Sequence, residues 1–232
     1  MLFDNSAGYG ERNGNIMSYD EFFHSLPIIE TDRLILRQIT ASESDGRDSL
    51  EFINDYSVYR FWGLYDEAAD KNGRRRPKKK VKLDYHYNDT MKEYKARREL
   101  AWLMELKETG KVIGEVVLYD FRLKKQADIG YRLNSNYWGH GYTPEAVAAI
   151  IKTAFELMDL ERLQIRCFAN NTSSVRVAQK LGFIQEGLIR HGAIVNVMTD
   201  YYIFGLIKQD YLNNPINIEI KYLNLPGSDG KA

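Results

Sequence analysis

Apolar and polar residues alternate through residues 31–39, the two-residue period of a half-buried strand. Residues 42–54 read as a helix, with Leu50, Phe52 and Ile53 among its apolar positions, and the aromatic stretch 58–63 as helix or turn. An exposed helix is predicted over 88–98. Two strands follow, 100–106 and 112–121, and the Thr109-Gly110 pair between them suits a hairpin. A third short strand covers 127–133. From Glu145 onward Val147, Ile150, Ile151, Ala154, Phe155 and Met158 recur at helical spacing, which predicts a helix with one buried face to about Asp159. Residues 163–168 form a strand, 172–181 a helix, and two closing strands begin at Phe183 and Val197. This order predicts an α/β domain with a mixed sheet, antiparallel at its start and helix-linked in its middle. Residues 1–26 read as a polar extension carrying one short amphipathic helix at 19–26, and 212–232 as a tail. One domain of residues 27–211 remains, without internal repeats.

Where the third strand hands over to its helix, Asn136-Tyr137-Trp138-Gly139-His140-Gly141-Tyr142-Thr143-Pro144-Glu145 holds two glycines one residue apart. The first four N–H groups of a helix lack intrahelical acceptors, and the macrodipole adds about half a positive charge there. A phosphate satisfies both needs. Glycine tolerates backbone angles closed to other residues and lets a ligand approach the main chain. Thr143 reads as the N-cap, with Pro144 at the first helical position. Alone, this junction is either an anion site or a tight turn.

At 232 residues, 44% apolar and 12% aromatic, the chain is long enough for one sizeable core. It contains no apolar run of membrane-spanning length, and its first residues have neither a basic start nor an apolar block, so a cytoplasmic location is expected. The single cysteine, Cys167, has no internal disulfide partner and reads as core, and four scattered histidines lack metal-ligand spacing, so no metal is expected. Net charge is zero, with 32 basic and 32 acidic residues, yet from Lys71 to Arg98 twelve Lys or Arg face only Asp84, Asp89 and Glu93. The centre of this excess, Arg74-Arg75-Arg76-Pro77-Lys78-Lys79-Lys80, lies in an insertion at about 70–84. It is either a solvated loop or a dock for an acidic surface, ligand or ribosomal RNA.

Four motifs occur in one order: Glu30-Thr31-Asp32-Arg33-Leu34-Ile35-Leu36-Arg37; Asp128-Ile129-Gly130-Tyr131; Asn136-x-x-Gly139-x-Gly141; and Asn171-x-x-Ser174 followed by Lys180-Leu181-Gly182-Phe183. With these, residues 28–211 resemble the GNAT acetyltransferases, in the branch typified by the ribosomal-protein N-terminal acetyltransferases RimJ and RimL. The resemblance implies the GNAT fold, a mostly antiparallel sheet with a V-shaped splay flanked by helices. It also implies acetyl-CoA as co-substrate, its pyrophosphate on the amides of Trp138, Gly139, His140, Gly141, Tyr142 and Thr143 and its pantetheine arm along the strand ending at Leu133. Asn136 departs from the Gln or Arg usual in that loop, which matters little where main-chain amides do the binding. Asn171 is expected at the pantetheine or reacting centre, or as a helix cap, or both.

The implied reaction is direct attack of a neutral amine on a thioester, transferring acetyl to a primary amine. It needs a base, oxyanion donors and a proton for the thiolate. Asp128 is the first candidate base and Glu115 the second. Ala178 stands where many GNAT enzymes keep a tyrosine acid, which leaves Ser174, Asn171 or water to serve the thiolate. An acceptor pocket is expected from residues 56–65 and 190–202, with Tyr59, Phe61, Trp62 and Asp200 as candidates and the basic insertion near its entrance. The leading expectation is a peptide α-amine acceptor. The alternatives are a small amine (antibiotic, amino sugar or polyamine) and a non-catalytic acyl-CoA-binding module. Homodimerisation is left open.

Overall fold

The computed structural model describes residues 16–61, 65–69, 75–77, 82–194 and 197–225, and for Tyr59, residues 65–69 and 75–77, and Val197 it describes the main chain alone. In chain order the elements are α1 (Tyr19–Phe22), β1 (Ile29–Glu30), β2 (Leu34–Arg37), α2 (Glu43–Ile53), α3 (Tyr56–Tyr59), β3 (Tyr65–Ala69), β4 (Arg75–Pro77), α4 (Tyr85–Lys95), β5 (Glu99–Leu106), β6 (Val112–Arg122) and β7 (Gln126–Leu133). A 3-10 turn (Ser135–Tyr137) leads to α5 (Tyr142–Lys152), which passes into a π turn (Thr153–Leu157). Then come β8 (Arg162–Phe168), α6 (Thr172–Lys180), β9 (Ile184–Ile194), β10 (Val197–Ile207), α7 (Lys208–Asn213) and β11 (Lys221–Tyr222).

Nine strands form one sheet in the order β11-β1-β2-β5-β6-β7-β8-β10-β9, and β3 pairs with β4 apart from it. Every recorded pairing in the large sheet is antiparallel except β7 with β8. Both faces of the central strands are covered, which is why β5 is apolar at nearly every position. Leu100, Trp102, Met104 and Leu106 join the core beneath α5, with Ile150, Phe155 and Phe204, while Leu103 packs with Phe52, Ile53 and Val58 on the other face. The amphipathic α2 sits on that second face, begun by Ser42, whose side chain accepts from the Asp45 amide, and closed at Asn54.

Two segments differ from expectation. Phe22, Phe23 and Leu26, in the stretch read as an extension, belong to the main core. In the stretch read as a tail, β11 adds to the sheet beside β1, with Ile29 opposite Tyr222, and Ile218 and Ile220 pack on the core. Asn224 fastens this junction, accepting from the Ile28 amide at 2.7 Å and donating to the Leu26 carbonyl at 3.0 Å. The physical reason is the alternation Ile216, Ile218, Ile220, Tyr222, a strand period that buries apolar side chains despite the turn-rich residues beyond it.

Candidate active site

The sheet opens between its two parallel strands. Pairing of β7 with β8 stops after Gln126 to Arg162, Ala127 to Leu163 and Asp128 to Gln164. Beyond that point Gly130 to Leu133 and Ile165 to Phe168 diverge, and a cavity of about 640 Å³ fills the wedge. A strand pair that separates leaves main-chain donors and acceptors facing the gap, where an extended ligand can take the place of a strand.

At one end of the wedge lies the glycine junction. Gly139 and Gly141 adopt φ of +82° and +80°, the left-handed region that side chains resist. Gly141 rather than Thr143 is the N-cap of α5, so the helix begins at Tyr142, before the position expected from the sequence. The left-handed turn at Gly141 redirects the chain without a side-chain cap, and Pro144 still falls within the first turn, where its missing N–H costs nothing. Among the described residues, the amides of Gly139 to Thr143 have no acceptor in the protein.

A brace fixes this loop. Glu145 accepts from the Thr31 hydroxyl at 2.7 Å, the Arg33 amide at 2.9 Å and Arg33 Nε at 2.7 Å. Arg33 also donates to the His140 carbonyl at 2.9 Å and lies over the Tyr142 ring, 4.4 Å from its centroid. The first sequence motif is thereby tied to the third: residues of the β1–β2 turn hold the glycine loop, whose amides are left without acceptors among the described residues.

Leu133, Trp138, Gly139, Gly141, Tyr142 and Thr143 all line the cavity, as do Asn171 and Ser174, whereas His140 sits outside the lining and stacks on Tyr142. Asn171 caps α6, its Oδ1 accepting from the Ser174 amide at 3.2 Å. Ser174 Oγ lies 2.7 Å from the Tyr131 hydroxyl. Burial holds the Tyr131 phenol protonated far above its ordinary range. Burial also pushes the Cys167 thiol up to about 11, with a Ser174 hydrogen bond acting the other way, so this cavity-lining cysteine is a neutral thiol and a poor nucleophile. Ala178 is fully buried and carries no proton to give.

The two carboxylates expected as bases point elsewhere. Asp128 is fully buried, and its carboxylate accepts from Arg122 at 2.8 Å and from Arg166 Nε at 2.6 Å. Glu115 is buried between His86 Nε2 at 2.6 Å and Arg132 at 2.7 Å. Burial alone would raise the Glu115 pKa, but the Arg132 and His86 charges outweigh it and hold the group down at about 2. Neither residue lines the cavity. The carboxylate that does is Glu99, at the start of β5 and opposite Tyr119 of β6, and it is the sole carboxylate among the described residues of the lining.

Side chains form further walls, Phe61, Phe168 and Ile194, with Arg60 stacked on Phe61 at 4.5 Å and Phe61 against Phe168 at 5.7 Å. Of the residues expected in an acceptor pocket, Phe61 lines this cavity. Asp200 is not part of this wall: it lies in the β9–β10 ladder, where its carboxylate accepts from the His191 amide at 2.7 Å. Trp62, the Tyr59 side chain and the side chains of the basic run at 74–80 lie outside the described residues.

Comparison with known proteins agrees with this geometry. The family model described as an acetyltransferase (GNAT) domain matches residues 33–184. An uncharacterized N-acetyltransferase of Bacillus licheniformis is 34% identical over 186 residues, 78% of this chain and 96% of that protein. In fold, the chain is similar to a putative ribosomal-protein-serine acetyltransferase from Vibrio cholerae (TM-score 0.64, 23% identity, 79% of this chain and 98% of that one). It is similar too to the spermidine N-acetyltransferase of Vibrio cholerae solved with CoA and spermine (TM-score 0.62, 16% identity, 78% and 98%).

Proposed function

Because the chain belongs to the GNAT acetyltransferase family, we propose that it transfers acetyl from acetyl-CoA to a primary amine, the α-amine of a peptide. The thioester supplies the acetyl group. The protein supplies the pyrophosphate site, formed by the amides of Gly139 to Thr143 and held open by Arg33 and Glu145. The splayed edge of β7 offers main-chain groups to the pantetheine arm, and Asn171 stands beside that path with its Nδ2 unclaimed among the described residues. Ser174, backed by the protonated Tyr131 hydroxyl, is the hydrogen-bond donor to the departing sulfur in place of the tyrosine absent at Ala178. Asp128 and Glu115 brace the sheet around the wedge rather than take protons.

The observation that carries the choice of acceptor is the charge of the cavity. Among the described lining residues Arg132 is paired with Glu115 and Arg166 with Asp128, which leaves Arg60 and Arg176 as the cations without a carboxylate partner there, beside the single carboxylate Glu99. A polyamine brings several positive charges, of which Glu99 meets one while Arg60 and Arg176 oppose the others. A peptide brings a single cationic amine at its end and suits an apolar collar of Phe61, Phe168 and Ile194. Thiol release from acetyl-CoA across peptides with free amino termini, amino sugars and spermidine tests this. Peptides are expected to turn over with a kcat/KM at least tenfold above spermidine. A preference for spermidine would overturn the peptide assignment.

A further inference from the structure

Glu99 occupies a position that neither its neighbours nor the fold accounts for. It opens β5 at the edge of α4, lies across from Tyr119, and looks into the wedge with Tyr119, Ile129 and Arg166. Its carboxylate makes no hydrogen bond and no ion pair among the described residues, unlike Asp128, Glu115, Glu93 and Asp45, each of which is held by an arginine. A half-buried carboxyl with no partner carries a desolvation cost, and proteins retain such groups where a ligand completes them.

We propose that Glu99 is the catalytic base of this enzyme, the group that meets the acceptor amine in the wedge and takes its proton. This assignment rests on the acetyl-transfer reading above. The acceptor enters as an ammonium, attracted to Glu99, the one carboxylate among the described residues of the cavity lining. One N–H proton passes to a Glu99 oxygen, directly or through a water, and thence to solvent, which frees the nitrogen lone pair. The new N–C bond then forms at the thioester carbonyl while the C–S bond breaks with its electron pair on sulfur. The second N–H proton neutralises the thiolate, so amide, free thiol and one released proton balance the reaction.

The surroundings suit that role. Burial is the largest influence on the Glu99 carboxyl, and Glu115 on β6 with Glu93 and Asp89 on α4 add negative charge, against which Arg132 on β7 counts for less. Arg98, next in the chain, turns to Glu93 instead, and Tyr119 faces Glu99 as a protonated phenol raised to about 12. The balance lifts Glu99 to about 7. A base of that strength is half ionised near neutrality and accepts protons better than a carboxylate clamped by arginines.

The test is the steady-state rate of Glu99→Gln and Glu99→Asp with a peptide acceptor over pH 5 to 9, together with acetyl-CoA affinity measured by calorimetry. Glu99→Gln is expected to lower kcat about 100-fold with acetyl-CoA affinity unchanged. It should also remove the limb of the wild-type profile that rises near pH 7, leaving only the limb near pH 8 of the α-amine itself. Glu99→Asp should restore part of the rate and the limb. A Glu99→Gln variant that keeps both the wild-type rate and the limb overturns the assignment alone. If the wild type itself releases no thiol with any amine, the acetyl-transfer reading falls first and the assignment with it.

Discussion

Two parts of the wedge's wall are built from different materials. The glycine loop is main chain: left-handed Gly139 and Gly141, five amides without an acceptor among the described residues, and a brace in which Glu145 and Arg33 fix the loop through four hydrogen bonds. The other walls are side chain, Arg60 and Phe61 after α3, Phe168 from β8 and Ile194 from β9, with Glu99 of β5 level with Asp128, where β7 and β8 still pair. Under the proposed function the main-chain part takes acetyl-CoA, which is the same whatever the acceptor. A side-chain wall is free to change with the acceptor, so the same fold can serve different amines.

The same contrast separates the carboxylates. Asp128 and Glu115 are buried and neutralised by arginines from neighbouring strands, which makes them parts of the frame, whereas Glu99 has no such partner among the described residues and lines the cavity. The largest expected effect follows from the frame. Asp128→Asn leaves Arg122 and Arg166 without their shared carboxylate and should cost about 3 kcal/mol of stability, read from denaturant unfolding. A loss of kcat with full stability would move Asp128 from the frame to the reacting groups and break the contrast.

Next comes the cost of the unpartnered carboxylate. The folded-state pKa of Glu99, about 7, lies above the ordinary 4.5, so between those values the folded protein holds the extra proton and stability falls as pH rises. Glu99→Gln should therefore be more stable than wild type at pH 8, by about 2 kcal/mol, with the difference gone at pH 4. An equal difference at both pH values would mean that packing, not ionisation, explains it.

The main-chain nature of the glycine loop is tested by Gly141→Val. At φ +80° a β-branched residue is strained by about 1–2 kcal/mol, and acetyl-CoA affinity measured by calorimetry should fall about tenfold. Binding at wild-type strength would place the pyrophosphate elsewhere. The smallest effect concerns the rim: Arg60→Ala should raise KM about threefold for peptides with acidic residues after the first, less so in high salt, and leave neutral peptides unchanged. A uniform change across peptides would make Arg60 a packing partner of Phe61 only.

What the sequence revealed follows the same division. The glycine loop was legible because main-chain requirements leave residue types behind, and α2 because Ser42 and Asn54 mark its ends. Glu99 was not, since Arg97-Arg98-Glu99 reads as the charged end of an exposed helix, and its burial arises only when Tyr119 and Arg132 arrive from other strands. Asp128 looked free to act as a base because Arg122 and Arg166, the latter 38 residues away, meet it only in the folded sheet. The outer strand β11 did leave an alternation at Ile216, Ile218, Ile220 and Tyr222, which the turn-rich residues after it obscured.

The most direct test of the whole account is acceptor-dependent thiol release from acetyl-CoA by the wild-type protein, with paired peptides that differ only in a free or blocked α-amine. The account predicts release with the free peptide, none above background with the blocked one, and an acetyl group on the product's amino terminus by mass spectrometry. Tight CoA binding with no release from any free-amine peptide or small amine would contradict it.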